Sequence, residues 1–138
     1  MNYYGTLITV ADDCPVTSSV VPPTRGDKKT VAVLQYEMLI GQPYGLTQED
    51  VLFESWLRRQ PGAGELAGPE LASLREKFFS KGQPCLRASP LPKKYGFGLR
   101  FDNEGLVALC PMESEEYGHL VEGAEGVRIL KAMRSARR

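Results

Sequence analysis

The chain has 138 residues, 42% of them hydrophobic and 25% charged, and its 17 basic residues balance 17 acidic ones. That length suits one domain around one continuous core, and the composition excludes a disordered or fibrous chain. Zero net charge supplies no global field to steer the chain towards nucleic acid, an anionic membrane or an acidic substrate, so any such preference has to be local. The longest apolar-rich stretch, 31–40, is interrupted by Gln35 and Glu37 and falls short of the roughly 20 residues that a bilayer helix needs. Met1-Asn2-Tyr3-Tyr4 lacks the basic start of a secretory signal, and the widely spaced Cys14, Cys85 and Cys110 suit reduced thiols better than a disulfide framework. The expectation is a soluble, cytoplasmic protein without a membrane partner.

Alternation in Thr6-Leu7-Ile8-Thr9-Val10 predicts a strand, and Cys14-Pro15 with Val21-Pro22-Pro23 predicts a stiff loop after it, so 1–29 reads as a strand plus a Pro-rich loop. Residues 30–82 read as helical. Val31, Leu34, Gln35 and Met38 recur at helical spacing, and Gly41 with Pro43 supplies a stop. Thr47 and Asp50 have the spacing of a capping box, which starts a second helix with Leu52, Phe53, Trp56 and Leu57 as its buried stripe and Arg58-Arg59 at its end. A third helix follows near Glu70, with Leu71, Leu74 and Phe78 on one face.

In the 83–112 region, Tyr95, Phe97, Leu99 and Phe101 alternate with Gly96, Gly98 and Arg100. Asp102-Asn103-Glu104-Gly105 is turn chemistry, and 106–110 supplies a partner strand, so 95–110 is expected to form a hairpin, with 85–88 as an added strand. Residues 113–138 read as C-terminal helices: a short one capped by Ser114, and a last one from about Val127 burying Ile129, Leu130 and Met133. The expected class is α+β, a single compact domain in which a small antiparallel sheet with a β-hairpin packs against several helices.

Taken together, several strings resemble an uncharacterised bacterial family of unknown function, the domain of unknown function 6157 family. They are Thr6 to Pro15, 30–37, Pro43-Tyr44, 47–53, Phe78 to Leu91, Tyr95-Gly96-Phe97-Gly98 and 131–135. Phe97 stands where that family's Tyr-Gly-aromatic-Gly element would carry Trp. The resemblance implies a shared fold and brings no activity, cofactor or catalytic residue with it.

The stretch from Lys77 to Arg100 contains six cations and no acidic residue, interleaved with Phe78, Phe79, Tyr95 and Phe97. Charge plus stacking of this kind suits a small anionic ligand or a nucleotide. Arg87, Lys93, Lys94, Tyr95 and Arg100 are the candidate ligand-binding residues, Arg87 first because its planar fork matches phosphate or carboxylate. The competing explanation is a half-buried aromatic strand flanked by solvated lysines. Gly96 and Gly98 let a ligand or another backbone approach one sheet face, but they lack the third glycine and helix start of a dinucleotide fingerprint.

The enzyme alternative uses Cys85 as a thiol nucleophile in this positive neighbourhood, with His119, the one histidine, as its base. No pair of closely spaced Cys and His ligands exists for zinc, and capping explains Asp50 better than a carboxylate site with Glu37 and Glu54 does, so neither metal nor cofactor is assigned. The leading reading is therefore a non-enzymatic module binding a small anion or a protein partner through 77–100. A thiol-dependent enzyme using Cys85 and a dimerising interaction protein are the alternatives, and nucleic acid held by the basic C-terminal residues has the least support.

Overall fold

The computed structural model describes residues 2–24 and 26–135. In chain order the elements are β1 (Thr6–Thr9), α1 (Val31–Gly41), β2 (Leu46–Thr47), α2 (Gln48–Leu57), α3 (Gly68–Ser80), α4 (Pro90–Lys94), β3 (Phe97–Phe101), β4 (Leu106–Pro111), α5 (Glu115–Val121) and β5 (Arg128–Lys131). The strands form one sheet in the order β2-β4-β3-β1-β5. The class is α+β, as expected.

Side-chain alternation gives the sheet two unlike faces. Ile8, Phe97, Leu99, Phe101 and Val107 point into the main core, where they meet Met38, Leu39, Val51, Leu86 and Leu91 of the helical layer. On the other face, Leu7 and Cys110 meet Leu120 of α5. All four residues of β1 are buried, because it lies inside the sheet with both faces covered.

The predicted hairpin is present as β3 and β4, from Phe97↔Pro111 to Phe101↔Val107. The Thr47 hydroxyl accepts from Asp50 N–H at 3.2 Å, and the Asp50 carboxylate accepts from Thr47 N–H at 2.9 Å, so the capping box forms as read. Thr30 caps α1 and Ser114 caps α5.

Three expectations are corrected. The last segment is not a helix: β5 pairs in parallel with β1, its Arg128 and Ala132 N–H groups donating to Gly5 and Thr9 carbonyls at 2.9 Å. Gly123 and Gly126 adopt left-handed backbone just before it, and the extended partner waiting at β1 overrides a local spacing that also fits a helix. The sheet is consequently mixed rather than antiparallel. Residues 86–88 form a 3-10 turn instead of a strand, since Pro84 and Pro90 bracket them and Ser89 starts α4. In the second helix, Phe53 and Leu57 are buried as expected, but Leu52 and Trp56 are only half-buried; α3 buries no residue fully.

Gly98 shows how closely the two layers meet at the sheet. A Cβ there would lie 2.8 Å from Tyr117 Cε2 and 3.0 Å from the carbonyl oxygens of Cys110 and Ile8. Two of those neighbours are sheet backbone and cannot move aside. Gly98→Ala should therefore destabilise the fold by about 1–3 kcal/mol in urea unfolding, whereas Gly41→Ala, which meets nothing within 4 Å, should be neutral or slightly stabilising. Equal midpoints for the two variants would refute this packing.

Burial raises the Asp50 carboxyl, but hydrogen bonds from Thr47 and the Arg75 guanidinium at 3.0 Å outweigh it and leave the group below its ordinary value. A carboxyl depressed on folding contributes stability above its unfolded pKa and loses it as pH falls through the folded one, so the loss belongs below about pH 4. The Asp50→Asn protein should start less stable at neutral pH and lose less melting temperature than wild type on acidification to about pH 3. Parallel acid profiles would remove Asp50 from the acid response.

Candidate functional site

A cleft opens on the helical side of the molecule, where α1, α2, the end of α3 and the 83–90 segment meet. Its volume is about 170 Å³, and its walls include Gln35, Ser55, Trp56, Phe78, Gln83 and Cys85. The polar floor is built by three segments. Gln35, 3% exposed, accepts from the Ser89 hydroxyl at 2.6 Å through its carbonyl oxygen and donates to the Ser55 hydroxyl at 3.4 Å through its amide nitrogen. At the start of α2, the fully buried Gln48 accepts Leu86 N–H at 2.7 Å. These bonds fix the 83–90 segment against α1 and α2, because a buried amide left without a partner costs about 1–3 kcal/mol.

Aromatic rings form the outer wall. Trp56 and Phe78 pack with centroids 5.0 Å apart, and Phe53 and Phe79 extend the cluster. Arg75 of α3 lies over Phe53 of α2 at 5.7 Å, which holds the two helices together, and over Phe79 of its own helix at 5.5 Å. Beyond Trp56 and Phe78 the cleft continues into a hollow of about 340 Å³ flanked by Lys77 and Lys81. On its other side, Val31 and Arg59 line both the cleft and a wider hollow of about 700 Å³ with Lys28, Lys29 and Arg58 on its walls. The result is one aromatic cleft with cations at both ends.

Cys85 lines the cleft, and its sulfur accepts from the Tyr3 hydroxyl at 3.4 Å. Burial, then the bond to Cys85, pushes the Tyr3 phenol up to about 12, so Tyr3 stays a proton donor to the sulfur. His119 does not complete a dyad. It is exposed on α5, across the sheet from the core in which Leu86, the neighbour of Cys85, is buried. Cys110 is buried, and burial followed by the nearby Glu116 carboxylate pushes its thiol up to about 11, so it packs rather than reacts.

The five expected ligand-binding residues are not gathered at one place. Arg87 is tied to the sheet edge: its Nε donates to the Lys131 carbonyl at 2.7 Å, and its own carbonyl accepts Met133 N–H at 2.8 Å. Lys93 and Lys94 occupy the last turn of α4, where cations suit the helix dipole. Tyr95 packs against the main core.

Arg100 points to the α5 face. Its Nη1 contacts Glu116 at 3.2 Å and Tyr44 Oη at 3.3 Å, and its Nη2 contacts Glu125 at 2.6 Å. Among the described residues, Tyr44 (φ 56) and Glu125 (φ 59) are the two non-glycine positions with left-handed backbone, and both hold this guanidinium. Arg100 thus ties the turn before β2 to the turn before β5.

Of the residues in the cleft and its adjoining hollows, Lys77, Phe78, Lys81, Gln83 and Cys85 belong to the stretch singled out by sequence. Gln35, Trp56 and the Lys28-Lys29/Arg58-Arg59 pairs were missed as site residues. Arg58-Arg59 has the ordinary look of a helix end and Lys28-Lys29 that of a loop. Only the packing of α1 on α2 brings them to one hollow. Glu37, Asp50 and Glu54 do not converge on a metal: Glu37 holds Lys29, Glu54 holds Arg58, and Asp50 caps α2.

No helix among the described residues is long and apolar enough to cross a membrane. No curated protein and no solved structure gives a significant match to the chain. A family model does match: the chain belongs to the family of unknown function DUF6157, matched over residues 1–138.

Proposed function

We propose that this protein is a non-enzymatic binding module for a small anion, held in the basic hollow that adjoins the cleft beside Trp56. The observation that carries the reading is an aromatic cleft adjoining a basic hollow, with Val31 and Arg59 as walls of both. Lys28 and Lys29 approach from the segment before α1, and Arg58 and Arg59 from the end of α2. Asp27 is the one carboxylate residue lining the same hollow. Lys29 is engaged by Glu37 at 2.8 Å and Arg58 by Glu54 at 3.7 Å, whereas Lys28 and Arg59 make no ion pair among the described residues. Two uncommitted cations beside a concave, partly apolar wall suit a phosphate or carboxylate better than a neutral ligand. The thiol-enzyme alternative is disfavoured because His119, the base it calls for, is exposed on α5 across the sheet.

Thermal unfolding in a pyrophosphate titration tests the reading. A ligand bound only by the native state stabilises it by about 2.7 kcal/mol at a hundredfold excess over its Kd, and the rise saturates. Sulfate at matched ionic strength controls for general salting effects, which do not saturate. The double variant Lys28→Ala, Arg59→Ala should lose the saturable part. A response to pyrophosphate that matches sulfate at every concentration would refute the anion site.

A further inference from the structure

Resting on that reading of the cleft, we propose that the ligand is a nucleotide, its phosphates in the basic hollow and its base stacked on Trp56. The two halves of the site differ in the way the two halves of a nucleotide do. The hollow, about 700 Å³, is wide, rimmed by cations from two segments, and opens at the start of α1. The first turn of α1 contains no acidic residue, so the positive end of its dipole is not neutralised there. The dipole of α2 accounts for arginines at its C-terminal end but not for two lysines arriving from another part of the chain. A phosphate chain supplies the charge that this wall lacks.

The cleft, about 170 Å³, is lined by Trp56, Phe78, Leu52, Pro84 and Leu86, a mostly apolar wall that suits an aromatic ring. Trp56 is half-buried, packed on Phe78 on one side and open to the cleft. Gln83 gives the ring a polar edge to meet: its amide nitrogen donates to the Phe78 carbonyl at 2.8 Å, which leaves its carbonyl oxygen to accept from a base amino group. The two halves are also joined at the right place. Arg59 N–H donates to the Trp56 carbonyl at 3.1 Å, so the stacking ring and a phosphate-binding cation lie one turn of chain apart.

Trp56 is the chain's single tryptophan, so its fluorescence reports on the cleft alone. Adenosine triphosphate, adenosine and inorganic tripolyphosphate should be titrated against the protein by calorimetry and by Trp56 emission. The nucleotide should quench Trp56, bind at least about fivefold tighter than tripolyphosphate, the least that one base–aromatic stack contributes, and bind tighter than adenosine. Trp56→Leu, or Trp56→Phe should the leucine variant not fold, should weaken the nucleotide while leaving tripolyphosphate unchanged.

Tripolyphosphate binding as tightly as the nucleotide, with Trp56 emission unaltered, would overturn the nucleotide inference and leave the anion site standing. Adenosine binding as tightly as its triphosphate would overturn the inference by removing the phosphates from it. Failure of all three to bind, alongside a failed pyrophosphate titration, would take down both readings.

Discussion

The Gln35 side chain is the constraint on which the cleft depends. It is a buried amide at the centre of α1, and both of its ends are satisfied by residues from other segments, Ser55 of α2 and Ser89 before α4. Replacing this arrangement with an apolar contact of similar shape would hold α1 and α2 together equally well. It would not fix where the 83–90 segment lies, because apolar contacts have no direction. Hydrogen bonds do, and the Gln48 bond to Leu86 N–H adds a second fixed point to the same segment. The wall bearing Gln83 and Cys85 is thereby held by oriented bonds although its backbone is a loop with a single 3-10 turn. Positioning a wall this way favours a preformed site over one assembled by the ligand.

The opposite face of the sheet solves a different problem with charge. Arg100 lies under α5, where its guanidinium is mostly covered, and three acceptors from three separate segments meet it. Two of these acceptors sit on left-handed backbone, a conformation that costs non-glycine residues energy unless something offsets it. Partly buried ion pairs with hydrogen-bonded geometry are stronger than exposed ones, so Arg100 is a suitable anchor for both turns. Arg100, one of the six cations of the Lys77 to Arg100 stretch, is therefore consumed by the fold. Lys28 and Arg59, which make no ion pair among the described residues, lie outside that stretch.

That division explains how much could be read from the chain. Features set by neighbouring residues were legible: the Thr47–Asp50 capping box, the Gly41–Pro43 stop, the Ser114 cap and the β3–β4 hairpin around Asp102-Asn103-Glu104-Gly105. Features set by distant pairing were not. β5 carries Ile129, Leu130 and, just beyond it, Met133 at a spacing that also suits a helix, and its strand character comes from β1, about 120 residues away in sequence. The site follows the same rule. Phe78, Lys77 and Cys85 were legible because they are close in sequence, whereas Lys28 and Arg59 are brought to one wall only by the packing of α1 on α2. Arg87 and Arg100 looked like ligand-binding arginines because a sequence shows a charge but not the carbonyl or carboxylate already bound to it.

α3 connects the fold to the cleft. It has no fully buried residue, and it is held through Phe78 on Phe53 and Trp56 and through the Arg75 contacts to Asp50 and the Phe53 ring. An element with few buried contacts opens at lower free energy than the core beneath it. The ring that attaches α3 most directly, Phe78, is also a wall of the cleft, and its partner Trp56 is half-exposed for the same reason. Filling the cleft would bury both rings and so strengthen the attachment of α3, while leaving the sheet and the Arg100 cluster as they are. Because linkage is reciprocal, loosening α3 would weaken whatever the cleft holds by the same free energy. The half-buried state of Trp56 is thus a cost carried by the free protein that an occupant of the cleft would relieve.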